Sequence, residues 1–323
     1  MKARRQASED DVVAWIRRLR KPRGRSALRL ELGIGDDAAV IATRRGRMVV
    51  TSDMMVEGVD FERASCPLPL VGWKALAASI SDVAAMGAWP ALAFASLAVP
   101  GRDPATQCKA VLGGLMKHAR RHGIVLAGGD LSRSGSGLVI DVTLLGVLPE
   151  GRRPALRSGA RPGDLVAVSG TLGLAALGLE RLRAGVRLHG ARGAARKLVL
   201  AQLRPSPEPA LGPRFGSIAT AMIDVSDGLA IDLGRLCRES GVGAVIDEGR
   251  LPLAGPSAGT RAARVEAALH GGEDYVLCFT VPPRRAGGAY PATIVGRITK
   301  RRGLVLATRD GAVPVAARGF SHF

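Results

Sequence analysis

Short apolar runs that stop at a carboxylate recur along this chain, most of them beside glycine, and this repetition constrains the fold more than any other feature. Gly33-Ile34-Gly35-Asp36-Asp37-Ala38 opens the series. Met48-Val49-Val50 then leads to Asp53, Ile124-Val125-Leu126-Ala127 to Gly128-Gly129-Asp130, and Ala221-Met222-Ile223 to Asp224-Val225-Ser226-Asp227-Gly228. Gly271-Gly272-Glu273-Asp274 closes it. Runs this short, punctuated by glycine, read as strands that end in acidic loops. Glycine next to a carboxylate lets backbone N–H groups and cations approach the same anion. Carboxylates gathered in one place repel unless something cationic sits among them, and hard oxygen donors select Mg²⁺ or Ca²⁺ over Zn²⁺. The alternative at each position is a solvated turn or capping aspartate.

Periodicity orders the rest. Ser8 and Asp11 have the form of a capping box, and Val12, Val13, Ile16 and Leu19 recur at helical spacing, so residues 8–20 are expected to be helical. Arg44-Arg45-Gly46-Arg47 has turn composition and makes residues 38–42 and 47–52 a hairpin. Residues 67–87 form an Ala-rich helix in which Asp82 follows Lys74 by two turns; a charge there needs an ionic partner or a metal. Residues 91–99 read as a fully buried strand and 106–122 as a helix, with strands at 124–127 and 138–147. The Arg-, Gly- and Pro-rich residues 149–162 mark a boundary, giving domains 1–149 and 150–323. The second half reads as strand 164–169, helices 171–184 and 191–203, strand 221–223, helix 229–240, and strands 242–246, 275–281, 292–298 and 304–307.

Bulk properties exclude several classes. A chain of 323 residues with 47% hydrophobic content has enough apolar material for a sizeable core. No stretch of about 18 apolar residues occurs, so no membrane span is expected. The first residues carry acids where a signal peptide needs an apolar segment, which predicts a cytoplasmic protein. Cys66, Cys108, Cys237 and Cys278 are far apart and read as free thiols. A net charge of +18 attracts polyanions, yet the arginines are dispersed and aromatics make up 3%, too few for base stacking, so nucleic-acid binding is not expected. Gly33-x-Gly35-x-x-Ala38 has the spacing of a dinucleotide fingerprint, but a β-branched strand follows where a helix should start.

Taken together, these motifs resemble the thiamine-monophosphate kinase family, of the aminoimidazole ribonucleotide synthetase-like superfamily. The resemblance runs through Gly33 to Ala38, Thr51-Ser52-Asp53 with Val56-Glu57-Gly58, Ser81-Asp82-Val83-Ala84-Ala85-Met86-Gly87-Ala88, Gly128-Gly129-Asp130, Arg157-Ser158-Gly159-Ala160, Arg204-Pro205-Ser206-Pro207, Asp224 to Leu229 and Gly271 to Tyr275. It implies a two-domain α+β fold, with an N-terminal domain of sheet plus helices and a C-terminal α/β domain. It also implies ATP- and Mg²⁺-dependent phosphorylation of thiamine monophosphate to thiamine diphosphate, in a homodimer.

By the same resemblance Asp36, Asp37, Thr51, Ser52, Asp53, Asp82, Asp130, Asp224 and Asp227 would hold metal, with Asp53, Asp224 and Asp227 central to catalysis. Gly129, Arg157 and Ser226 would contact ATP, and Glu273 the substrate. Two departures fall on the substrate side: Asp60 stands where the family has His, and Ala317 where it has an aromatic residue. A sister enzyme of the superfamily, such as aminoimidazole ribonucleotide synthetase, is the alternative within this fold, and a basic nucleic-acid-binding protein the alternative outside it.

Overall fold

The structure, a computed structural model, describes residues 29–32, 35–43, 46–287 and 291–316. The helix expected at 8–20 and the Ala317 position lie outside the described residues. The described chain forms two sheets with helices around them. The first sheet contains β1 (Arg29–Leu32), β2 (Ala39–Thr43), β3 (Gly46–Val56), β4 (Trp89–Val99), β5 (Val125–Arg133) and β6 (Val139–Val147), in the order β1-β2-β3-β6-β4-β5. All its pairs are antiparallel except β4 with β5. The expected hairpin is β2 and β3, with Ala39 opposite Val50.

Helices α1 (Leu68–Ala85) and α2 (Pro104–Arg121) accompany this sheet. They cross so closely that a Cβ on Gly72 would lie 1.9 Å from the Val111 carbonyl oxygen, and one on Gly114 would lie 1.7 Å from that of Pro69. Only glycine permits that approach, and α1 is buried along most of its length as a result.

Strand β4 departs from the fully buried strand its composition predicts. Ala93, Ala95, Leu97 and Val99 are buried, whereas Leu92 and Phe94 are each 40% exposed. Register puts Trp89 opposite Val147, and Leu92 opposite Val125, on that exposed side. An unbroken apolar run here marks a sheet covered by helices on one face, with an apolar face opposite that is exposed among the described residues. The Gly128-Gly129-Asp130 motif also differs from expectation: β5 runs through it to Arg133 instead of ending there.

The second sheet holds β7 (Leu165–Val168), β8 (Ala221–Val225), β9 (Gly243–Asp247), β10 (Val276–Val281), β11 (Thr293–Thr299), β12 (Gly303–Thr308) and β13 (Gly311–Pro314), in the order β13-β12-β9-β11-β7-β10-β8. Around it lie α3 (Leu174–Arg183), α4 (Gly193–Leu203), α5 (Leu211–Gly216), α6 (Leu229–Ser240) and α7 (Arg261–His270). Helix α7 is not evident in the apolar pattern, because arginines occupy two of its first four positions; Thr260 caps it by accepting from Ala263 N at 3.2 Å.

The two sheets meet at the end of α1. Ala84 and Ala85 join Ala155, Phe215, Met222, Leu277 and Phe279 in one apolar cluster, with Phe215 and Phe279 stacked at 4.4 Å. Small residues at the end of α1 let the second sheet come this near. The polar residues of the preceding turn, Ser79, Ser81 and Asp82, are thereby held at the junction.

Candidate active site

Helix α1 supplies the centre of the site. Asp82 Oδ2 accepts from Thr51 Oγ1 on β3 at 2.5 Å, and Ser79 Oγ donates to Asp53 Oδ2, also on β3, at 2.8 Å. Ser81 Oγ reaches the other domain and donates to Asp224 Oδ2 on β8 at 2.7 Å. Asp37, from the loop before β2, completes the group. Carboxylate oxygens of Asp37, Asp82 and Asp224 all lie within 4.8 Å of one another. Lys74 does not neutralise Asp82; its partner is Glu273, in the second half of the chain.

Three carboxylates this close, two of them buried and Asp82 half-buried, repel strongly. Burial, with Asp53 and Asp224 adding like charge, holds Asp82 well above the usual carboxylate value. Burial and then Asp37 do the same for Asp224. Asp53 is pushed up to about 6, mainly by burial, and Asp36 to about 7 by burial and the Asp37 charge. Among the described residues Arg157 offsets the group: its Nη2 donates to Asp37 Oδ1 at 2.6 Å, and its backbone N–H to Asp36 Oδ2 at 3.1 Å. Asp37 Oδ2 is buried and accepts no hydrogen bond. An all-oxygen donor set with an unused buried oxygen fits a divalent hard cation.

A second loop faces this group. Asp224 is the penultimate residue of β8, and beyond it the N–H groups of Ser226, Asp227 and Gly228 all point at one oxygen of Asp232, at 3.1, 2.9 and 3.1 Å. Arg235 Nη1 bridges Asp227 Oδ2 at 2.5 Å and Asp232 Oδ1 at 3.0 Å. The amide cradle at the start of α6 is therefore filled by the chain's own carboxylate.

The two halves of the chain match separate family profiles. Residues 35–148 match the AIR synthase related protein, N-terminal domain, and residues 161–308 the AIR synthase related protein, C-terminal domain. The chain is 36% identical to thiamine-monophosphate kinase of Escherichia coli K12, over 92% of this chain and 94% of that one, and 34% identical to that of Bacillus subtilis 168, over 91% and 94%. Among solved structures, it superposes on AaThiL complexed with AMPPCP and TMP with a TM-score of 0.84, at 30% identity over 98% of this chain and 97% of that one. The chain belongs to the thiamine-monophosphate kinase family.

The residues this family points to fall into distinct places. Asp37, Thr51, Asp53, Asp82 and Asp224 converge on α1. Asp36 ties its loop to Arg157, and Asp227 is paired with Arg235. Ser52 and Asp130 are not brought to this group. Ser52 alternates with Thr51 and Asp53 on a strand, so it faces the other side of the sheet, where it donates to Asp141 at 3.1 Å and bonds Thr143 at 2.9 Å. Asp130 is exposed on the edge strand β5, and Gly129 beside it lies opposite Ala95, so close that a Cβ there would sit 1.9 Å from the Ala95 carbonyl oxygen.

In this member of the thiamine-monophosphate kinase family the Asp60 carboxylate accepts from Val56 N at 2.7 Å, which closes the turn after β3. Ser79, Asp232 and Arg235 join the site without having stood out in the sequence, and Ser81, which opens one of the quoted motifs, joins it without having been assigned a role. Asp232 has a readable signal in retrospect: it is an acid in the first turn of a helix that follows a glycine loop.

Proposed function

We propose that this chain is a kinase that transfers the γ-phosphoryl group of ATP to thiamine monophosphate, giving thiamine diphosphate. The observation that carries this reading is the carboxylate trio of buried Asp37 and Asp224 with half-buried Asp82, drawn from both halves of a chain of this family. It is supported by the structural relative captured with AMPPCP, an ATP analogue, and TMP.

Asp37, Asp82 and Asp224 would hold Mg²⁺, with Thr51 orienting Asp82 and Asp53 adding a further negative charge beside it. The metal, when bound, neutralises phosphate charge and polarises the transferring group. Ser52 and Asp130, on the other face, are left out of this ligand set. Arg157, now resting on Asp37, is placed to trade a carboxylate for a phosphate once a cation takes its place. The acceptor is itself a phosphate with a second pKa of about 6. It is already ionised at neutral pH, so direct in-line transfer needs no general base, and positioning with charge screening does the work.

We also read the open apolar face of the first sheet, carrying Met54, Trp89, Leu92, Phe94, Val125 and Val147, as the interface of a homodimer. No described helix is long and apolar enough to cross a membrane, and the four cysteines are buried free thiols, which agrees with a cytoplasmic enzyme.

The deciding experiment incubates the purified protein with ATP, Mg²⁺ and thiamine monophosphate and measures thiamine diphosphate by chromatography. Formation of product that depends on all three supports the reading. Its absence, with turnover of an aminoimidazole ribonucleotide precursor in a parallel assay, would move the chain to the sister activity.

A further inference from the structure

Tyr275 closes the Gly271-Gly272-Glu273-Asp274-Tyr275 motif, one residue ahead of β10, and is 8% exposed. Its backbone N–H donates to the Val225 oxygen at 2.9 Å, which seats it beside the residue that follows Asp224. Register then pairs Leu277 with Asp224. The backbone reaches this position under strain: Tyr275 has φ 49° and Glu273 φ 68°, both in the left-handed region that non-glycine residues enter only when their surroundings impose it. An aromatic residue is a costly choice there, since glycine would relieve the strain.

The phenol ends among acids. Burial, then the charges of Glu273, Asp53, Asp224 and Asp227, hold it well above the usual value for tyrosine, so four carboxylates lie within electrostatic reach of the hydroxyl. Beside Tyr275 a cavity of about 120 Å³ opens between the two halves of the chain, with Ser81, Ser169, Ser206 and Asp274 also in its lining. The neighbouring hydroxyls are committed: Thr51 donates to Asp82, Ser79 to Asp53 and Ser81 to Asp224. That of Tyr275 has no hydrogen-bond partner among the described residues. A nearly buried hydroxyl without a partner costs free energy that packing does not require, because phenylalanine would fill the same space without it.

We infer that Tyr275 contacts the acceptor directly, its hydroxyl donating to a phosphate oxygen of that substrate beside the carboxylates of the site. This goes beyond the kinase reading and rests on it. A phenol ionises at about 10 in water, so at neutral pH it enters a complex as a donor. Carboxylates offer a phosphate no hydrogen bond, and one held near them needs donors from elsewhere. Tyr275 supplies one without adding charge.

The test compares wild type with Tyr275→Phe by titration calorimetry in Mg²⁺ and AMPPCP, using thiamine monophosphate and, as a phosphate-free probe, thiamine. Tyr275→Phe is expected to weaken binding of thiamine monophosphate about tenfold or more and of thiamine by less than about twofold, since only the phosphate loses a charge-assisted hydrogen bond. Affinity for AMPPCP with Mg²⁺ should change by less than about threefold. The variant should melt at or above the wild-type temperature, because the fold loses no hydrogen bond. Unchanged affinity for thiamine monophosphate overturns the inference, as does an equal loss for both ligands. A variant that melts well below wild type, or does not fold, overturns it as well, by showing that the hydroxyl serves the fold. In each of these cases the wild-type protein still binds both substrates and forms thiamine diphosphate, so the kinase reading stands. A wild-type protein that binds neither substrate would lose the kinase reading, and this inference with it.

Discussion

Ser81 Oγ donates to Asp224 Oδ2 across the junction of the two domains at 2.7 Å. Both groups are buried, so this bond is the most direct polar tie between helix α1 and the carboxylate at the end of β8. It stabilises the ionised form of a carboxylate that burial disfavours. Ser81→Ala should therefore lower activity by about tenfold and destabilise the protein by about 1–2 kcal/mol. Initial rates and urea unfolding measure the two effects separately, and unchanged values in both would show that the tie is dispensable.

Removing one charge from the trio should move stability and activity in opposite directions. Asp82 and Asp224 both have raised proton affinity in the folded chain. A carboxyl of this kind contributes stability that is complete below its unfolded value and is lost as pH rises through its folded one, so at neutral pH each charge strains the metal-free fold. Asp82→Asn or Asp224→Asn mimics the protonated form. Either variant should melt higher than wild type in chelator, gain little when Mg²⁺ is added, and lose activity by at least about a hundredfold. Wild type should gain about 2.7 kcal/mol at a Mg²⁺ concentration of a hundred times Kd.

His118 gives a pH signature away from the site. It is fully buried, stacks on Trp73 at 3.9 Å and an angle of 4°, and shares a hydrogen bond with the Trp73 carbonyl through Nδ1 at 3.0 Å. Burial lowers its pKa to about 4. Its neutral form contributes stability that is complete above the unfolded value of about 6.5 and is lost as pH falls toward 4. Over that window wild type should lose about 3 kcal/mol more than His118→Gln does, at about 1.36 kcal/mol per pKa unit. Parallel unfolding curves for the two proteins would count against it.

The open face of the first sheet predicts self-association. Phe94 and Leu92 lie on it, each 40% exposed. Phe94→Lys should convert a dimer into a monomer of unchanged secondary structure, read by light scattering and circular dichroism. A wild-type protein that is monomeric at high concentration would remove the need for a partner.

Much of the site is legible in the sequence, because Asp37 and Asp224 stand in acidic stretches beside apolar runs and Asp82 is a charge inside an otherwise apolar helix. The strand alternation that separates Ser52 from Thr51 and Asp53 is legible too, but only if the three residues are placed on one continuous strand instead of being taken as a run of ligands. What sequence cannot reveal is pairing at long range. Lys74 is eight residues from Asp82, a spacing that suggests a local ion pair, yet its partner Glu273 lies far along the chain. The one-sided burial of β4 is hidden for a related reason: an apolar run looks the same whether helices cover both faces or another surface covers one. Asp232 escapes notice because an acid in a first helical turn usually serves the helix, whereas here it also shapes the loop that carries Asp227.

The end of α1 has a consequence for how this molecule can be divided. Asp37 and Asp82 belong to the first half of the chain and Asp224 to the second, and the small residues that close α1 are the surface on which the halves meet. Cut between the sheets, either fragment would own an incomplete carboxylate trio and an uncovered hydrophobic scar. The domain boundary is thus a seam in the polypeptide but not in the chemistry, and an insertion that pried the halves apart would silence the enzyme without touching a single reactive group.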